Sequence, residues 1–321
     1  MGGDRGPDEV VAGALEAAAD GITPVLVGPE SLDTKGLELV PAGEVIAMDE
    51  KPAEAVRSKP DSSLVVACRI VGQGKAQAVV STGNTGALLA AGLLNLRRIR
   101  GVHRPALAVV IPTREGPSVL IDSGANADAR PEHLFQFGEM GAVFAEEILE
   151  RPNPSVRLLS IGEEPEKGNQ LTLEANRLLA ESELNFEGNT ESRNLLAHAA
   201  DVVVTDGFTG NVSLKLLEGT IKTVLDALRE EITSTTRGKL GGLMIRPAAR
   251  NLRSRLDPET YGGAYLLGLR GLVVKAHGNS SRRAIANAIR LAARGIEHDV
   301  VGRLEAQLGE PARDSEPAEA L

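Results

Sequence analysis

A chain of 321 residues with 42% hydrophobic side chains can bury a large core, and with 2% aromatics and no Trp that core must be Ala, Val, Leu and Ile. A net charge of −9 argues against general nucleic-acid binding, and no Cys/His cluster has zinc spacing, so neither nucleic acid nor metal is expected. No apolar run reaches the ~18 residues of a membrane span, no signal-peptide pattern opens the chain, and the single cysteine, Cys68, excludes an internal disulfide and fits a reducing cytosol.

Residues 1–6, MGGDRG, read as a Gly-rich loop, and Pro7 opens a helix carrying Val10, Val11, Ala14, Leu15 and Ala18. A strand follows at 24–27, but none precedes the loop, and a missing strand there would leave its neighbours unpaired. The stretch 49–60 is polar and irregular. Asp61, Ser62 and Ser63 then cap a helix with Leu64, Val65, Cys68 and Val71 on one face. A strand through Val79 and Val80 leads to a Gly-rich loop and an apolar helix at 87–96; Arg97, Arg98, Arg100, His103 and Arg104 make a basic surface turn. Strands at 107–111 and 118–121 bracket a hairpin. A long helix is predicted at 132–150, a strand at 156–161, a helix at 172–180, a short extended piece at 185–186 and a helix around 194–200. Alternating strands and helices over this length imply a mostly parallel sheet covered on both faces.

The β-branched run Val202, Val203 and Val204 is too short for a helix and right for a buried strand. It leads through Asp206, Gly207, Thr209, Gly210 and Asn211 into a helix with Leu217, Ile221, Val224, Leu225, Leu228 and Ile232 on one face. The pattern of strand, loop of small polar residues and following segment recurs. Ser81 leads into Thr82, Gly83, Asn84, Thr85 and Gly86; Ile121 into Asp122, Ser123, Gly124, Ala125 and Asn126; Val274 into Lys275, Ala276, His277, Gly278, Asn279, Ser280 and Ser281. In open α/β sheets such loops gather at the carboxyl ends of the strands, so together they predict one donor-rich cleft for a small anion, most simply phosphate. The segment 233–256 departs from the rhythm. It lacks acidic residues and carries Arg237, Lys239, Arg246, Arg250, Arg253 and Arg255 among Leu240, Leu243, Met244 and Ile245, a cationic and partly apolar surface. Residues 1–308 are thus read as one α/β domain with this basic helical segment, and 309–321, rich in Pro, Glu and Ala, as a disordered tail.

Neither a G-x-G-x-x-G fingerprint after a strand, a P-loop nor a G-x-S-x-G elbow is present, so no dinucleotide cofactor, nucleotide donor or serine hydrolase is indicated. A cleft that holds phosphate without these devices can use phosphate itself as the nucleophile, positioning it against an activated carbonyl.

The motifs MGGDRGP (1–7), KPDSS (59–63), STGNTGALLA (81–90), DSGANADARPEHLFQFGEMG (122–141), GNTESRNLL (188–196), DGFTGNVSLKLLEG (206–219), YGGAYLLGLRG (261–271) and HGNSS (277–281) run through nearly the whole chain. With them the chain resembles the bacterial acyl-[acyl-carrier-protein]:phosphate acyltransferases. The resemblance implies a three-layer α/β/α fold similar to the isopropylmalate dehydrogenases, a homodimer without cofactor, and acyl transfer from acyl carrier protein to inorganic phosphate for glycerolipid synthesis. In that reading Asn84, Thr85, Asn211 and Ser213 hold the phosphate, with Gly83, Gly86, Gly207, Thr209 and Gly210 of their loops and Asn126, Asn279 and Ser280 beside them. Lys215 or Lys275 offsets its charge, and His277 donates to the thioester oxyanion or leaving thiolate, or else only orients its neighbours. Asp206 and Asp122 cap loops or orient His277. His103, His133, His198 and His298 are structural or at the surface. Arg237, Lys239, Leu243, Met244, Arg246, Arg250 and Arg253 form a surface for acyl carrier protein, the inner membrane face or a downstream membrane acyltransferase. The rival readings are a phosphotransacetylase using coenzyme A and a non-enzymatic membrane-surface adaptor.

Overall fold

The computed structural model describes residues 3–309; Met1, Gly2 and the predicted tail beyond Gly309 lie outside the described residues. In chain order the elements are α1 (Pro7–Ala18), β1 (Val25–Gly28), β2 (Glu38–Pro41), α2 (Pro52–Ser58), α3 (Ser63–Gly72), β3 (Ala78–Ser81), α4 (Thr85–Asn95), β4 (Ala106–Thr113), β5 (Gly116–Ile121) and α5 (Pro131–Leu149). Then follow β6 (Val156–Ser160), α6 (Gln170–Ala180), β7 (Phe186–Glu191), β8 (Val202–Val204), α7 (Gly207–Thr233), α8 (Thr236–Leu256), β9 (Ala264–Leu267), β10 (Leu272–Lys275), α9 (Arg282–Glu297) and α10 (Val300–Leu308).

An eight-stranded sheet, ordered β3-β10-β9-β4-β5-β8-β6-β7, forms the middle layer. Strand alternation divides the core between its two faces. Val202 and Val204 point into a cluster with Phe137, Met140 and Phe144 of α5, while Val203 between them joins Leu214 and Leu217 of α7. Val273 likewise packs with Leu88 of α4 while Val274 joins the α5 side. Two of the large aromatics of the core, Phe144 and Tyr265, meet edge to face at 4.9 Å. Three layers result, as expected.

The sheet is mostly parallel but not uniformly so. Antiparallel pairings join β10 to β9, β9 to β4 and β4 to β5, whereas β3 is parallel to β10 and β8 is parallel to β5. Each antiparallel pairing reverses direction, so β3 and β10 run opposite to β5 and β8. Their carboxyl ends nonetheless lie level, because Lys275 pairs with Ala264, Ala264 with Val109, and Val109 with Leu120, one residue from the end of β5. The Gly-rich loops after β3, β10, β5 and β8 thus start within one residue of the same level across the sheet, but leave it in opposite directions.

β1 and β2 pair in parallel as a separate two-stranded sheet. Between β1 and β3 lies an apolar cavity of about 710 Å³ lined by Val11, Leu26, Val79, Ile285 and Ile289 among others. α3 packs on both strands, and among the described residues neither has a strand partner on this side.

Other departures have simple causes. α2 falls inside the stretch read as irregular, because with seven residues and only Ala55 and Val56 buried it shows no helical period. The segment at 185–186 extends into β7, and the helix around 194–200 is a 3₁₀ turn at Ser192–Ala197. Ser62 sits at the start of α3, yet its hydroxyl is buried and makes no capping bond. No helix among the described residues is long and apolar enough to cross a membrane.

Candidate active site

At the ends of β3 and β10 the first described residues close over two loops. The Asp4 N–H donates to the Gly278 carbonyl at 2.7 Å, and a Cβ on Gly3 would stand 2.6 Å from Thr82 Oγ1. Asn84 caps α4: Oδ1 accepts from the Ala87 N–H at 3.0 Å and Nδ2 donates to the Met48 carbonyl at 3.0 Å. The Gly83 N–H donates to Ser81 Oγ at 3.1 Å. With the amide of Asn84 engaged, this loop offers an anion chiefly its backbone. Among the described residues the N–H groups of Thr85 and Gly86, in the first turn of α4, have no protein acceptor.

The loop after β5 is organised around Asp122, which is fully buried. Its Oδ1 accepts from the N–H groups of Leu107, Gly124 and Ala125, and its Oδ2 from the backbone and side-chain amides of Asn126. Burial raises its pKa, and these five donors work against that rise. Asn126 also donates to the Pro105 carbonyl at 2.8 Å. α7 rests directly on this loop. A Cβ on Gly210 would lie 1.9 Å from the Asp122 carbonyl oxygen, and one on Gly207 2.6 Å from that of Asn126, so only glycine allows the approach.

α7 begins at Gly207, so Thr209, Gly210 and Asn211 are helical rather than a loop. The reason is the Asp206 cap: its Oδ1 accepts from Phe208 N–H at 3.0 Å and Thr209 N–H at 2.9 Å. Gly207 N–H donates to Asn126 and Gly210 N–H to the Asp206 carbonyl. These N–H groups are thus satisfied within the protein. The anion contacts available from α7 are side chains: Asn211, exposed beside Gly124, Ser213, half-buried, and Lys215.

Running back across the sheet face, α7 brings Lys215 to the loop after β10. There Lys215 Nζ lies 3.5 Å from His277 Nδ1 and donates to Glu218 Oε2 at 2.8 Å, while His277 Nε2 lies 3.1 Å from Glu218 Oε1. Burial works to raise the Glu218 carboxyl, but hydrogen bonds from His277 and Lys215 outweigh it and hold the group below its ordinary value. Lys275, at the end of β10, is only 8% exposed and donates to the Ala276 carbonyl. Burial pushes its amine down to about 8, with the charge of Lys215 adding to the effect and Asp4 opposing it. Ser280 is buried, its N–H closing a turn onto the His277 carbonyl at 3.1 Å, and Asn279 is exposed next to it.

The structure thus joins Lys215, Lys275, His277 and the 82–86 loop in one group and Asp122, Asn126, Asp206 and Gly207 in another, with the first turns of α7 between them. Glu218 and Asp4 were not singled out in the sequence, although Glu218 stands three residues after Lys215, on the same helix face. His103 and His133 face each other at 6.0 Å, His198 contacts Thr113 and Asp201, and His298 pairs with Glu147, all outside this cluster. Among the described residues no group of His, Cys, Asp and Glu could hold a metal ion.

Comparison with known proteins places the chain in a family. A family model described as "Fatty acid synthesis protein" matches residues 1–303. A phosphate acyltransferase from Heliobacterium modesticaldum is 45% identical over 317 residues, 95% of each chain. One from Bacillus pumilus is 46% identical over 310 residues, covering 94% of this chain and 93% of that one. In fold alone, a phosphotransacetylase from Streptococcus pyogenes superposes with a TM-score of 0.59 at 18% identity, covering 91% of this chain and 92% of that one. A 4-hydroxythreonine-4-phosphate dehydrogenase from Klebsiella pneumoniae gives 0.50 at 14% identity, over 89% and 94%. By the family model and by these close relatives, the chain belongs to the fatty acid synthesis protein family, with the bacterial phosphate acyltransferases.

Proposed function

We propose that this chain transfers a fatty acyl group from the thioester of acyl carrier protein to inorganic phosphate, releasing the thiol and giving an acyl-phosphate for glycerolipid synthesis. The observation that carries the reading is the contact of Lys215 with His277, two residues after the buried Lys275, together with the open N–H groups of Thr85 and Gly86 at the start of α4. Two cations and a helix N-terminus attract a phosphate dianion, which is already nucleophilic near neutral pH. A phosphate oxygen attacks the thioester carbon, the oxyanion collapses, and the C–S bond breaks with its electron pair leaving on sulfur. Lys275, whose amine is pushed to about 8, is the group that can hand a proton to the departing sulfur.

The basic surface of α8 is the dock for the acidic carrier protein and the contact with the cytoplasmic face of the inner membrane, where a membrane acyltransferase would consume the product. A homodimer is part of this reading. The phosphotransacetylase-like fold supports a second one, in which coenzyme A replaces the carrier protein.

Asn211→Ala and Lys215→Ala should each lower the rate of phosphate-dependent thiol release without changing the melting temperature. Losing a preorganised contact to developing charge costs about 3 kcal/mol, on the order of a hundredfold in rate. Unchanged rates and phosphate dependence in both variants would place the site elsewhere.

A further inference from the structure

Lys215, Glu218 and His277 form a closed three-way contact. One carboxylate oxygen of Glu218 takes Lys215 at 2.8 Å, the other faces His277 Nε2 at 3.1 Å, and His277 Nδ1 lies 3.5 Å from Lys215 Nζ. Donor and acceptor roles follow from the chemistry of the groups. An ionised carboxylate only accepts, so Nε2 carries the hydrogen; an ammonium only donates, so Nδ1 presents its lone pair. Both ring nitrogens are then engaged. Two of the three N–H donors of Lys215 are engaged as well, and the third is left for an anion.

The pivot of the arrangement is Glu218. Its side chain is 21% exposed, against 53% for Lys215 and 49% for His277, so the carboxylate is fixed and the two longer-reaching groups lean on it. It also opposes a repulsion. The ammonium of Lys215 is near enough to Lys275 to disfavour a second charge there, and without a counter-charge Lys215 would swing out into solvent.

We propose that Glu218 is a positioning residue: directly and through His277 it aims the Lys215 ammonium at the anionic substrate, and His277 acts as an acceptor for Lys215 rather than as a proton donor to the thioester. The inference rests on phosphate binding at Lys215, as argued above.

Two measurements on the full chain test it. In the nitrogen-15 imidazole spectrum of the resting protein, His277 should be in the Nε2–H form, and Glu218→Gln, which no longer demands a donor, should shift it towards Nδ1–H. Calorimetric titration with inorganic phosphate should show affinity weakened about tenfold in Glu218→Gln, with KM for acyl carrier protein unchanged. The clamp is overturned by an Nδ1–H histidine in the unmodified protein, a reading that needs no variant to fold. It is equally overturned by unchanged phosphate affinity in a folded Glu218→Gln. If the unmodified protein neither binds nor consumes phosphate, the functional reading fails, and the aiming role fails with it. If it does both and Glu218→Gln matches it, only the positioning role is lost.

Discussion

Lys275 is where burial and charge conflict most directly at this site. In the unfolded chain a lysine keeps its proton up to ~10.4, whereas in the fold burial lowers Lys275 to about 8. Between these values the unfolded state binds more protons, so stability rises with pH through that window, and the full penalty is present below about 8. The difference corresponds to on the order of 3 kcal/mol. Lys275→Met should therefore raise the melting temperature at pH 7, the advantage fading as pH approaches 10, while acyl transfer falls. Equal melting at pH 7 would mean that the amine is not held charged against its surroundings. Much at this scale was legible in the sequence. Lys215, Lys275 and His277 stand in motifs rich in small polar residues, and the capping roles of Asp122 and Asp206 follow from Asp just past the end of a strand. Glu218 was not, because a Glu three residues after a Lys on a helix is a common surface pairing, and only the fold brings His277 to it.

At the scale of elements, α7 and α8 form a helical hairpin unlike the rest of the molecule. None of the residues of α8 is buried, and Leu240, Leu243 and Met244 expose 63%, 63% and 84% of their surface among the arginines. Pro247 inside α8 removes one helical N–H. Arg246, Arg250 and Arg253 changed together to Glu should raise KM for acyl carrier protein and weaken flotation with anionic liposomes, and salt should weaken both in the unmodified protein. Leu243→Ser with Met244→Ser should impair flotation alone, since burial of apolar surface is worth ~25 cal/mol per Å². Indifference of both readouts to all five changes would make the hairpin a merely solvated surface. The charge and apolar pattern of this segment was readable beforehand. α2 was not, being a short helix held by its neighbours rather than by its own period.

For the whole molecule, the layers could be read from the alternation of strands and helices, but the directions of the strands could not. β9, four apolar residues between glycines, gives little local signal, yet it makes two of the three antiparallel pairings that set β10 against β5. The register still ends β3, β10, β5 and β8 within one residue of one level, where the first turns of α7 link loops that leave in opposite directions. The central claim is that phosphate itself is the acyl acceptor. Its most direct test uses phosphate labelled with oxygen-18 at all positions and an acyl-carrier-protein thioester, with the product analysed by mass spectrometry. Attack by a phosphate oxygen keeps every P–O bond, so the predicted product is an acyl-phosphate carrying all four labelled oxygens, formed in step with free thiol. Release of unlabelled fatty acid at a rate independent of phosphate would contradict the account.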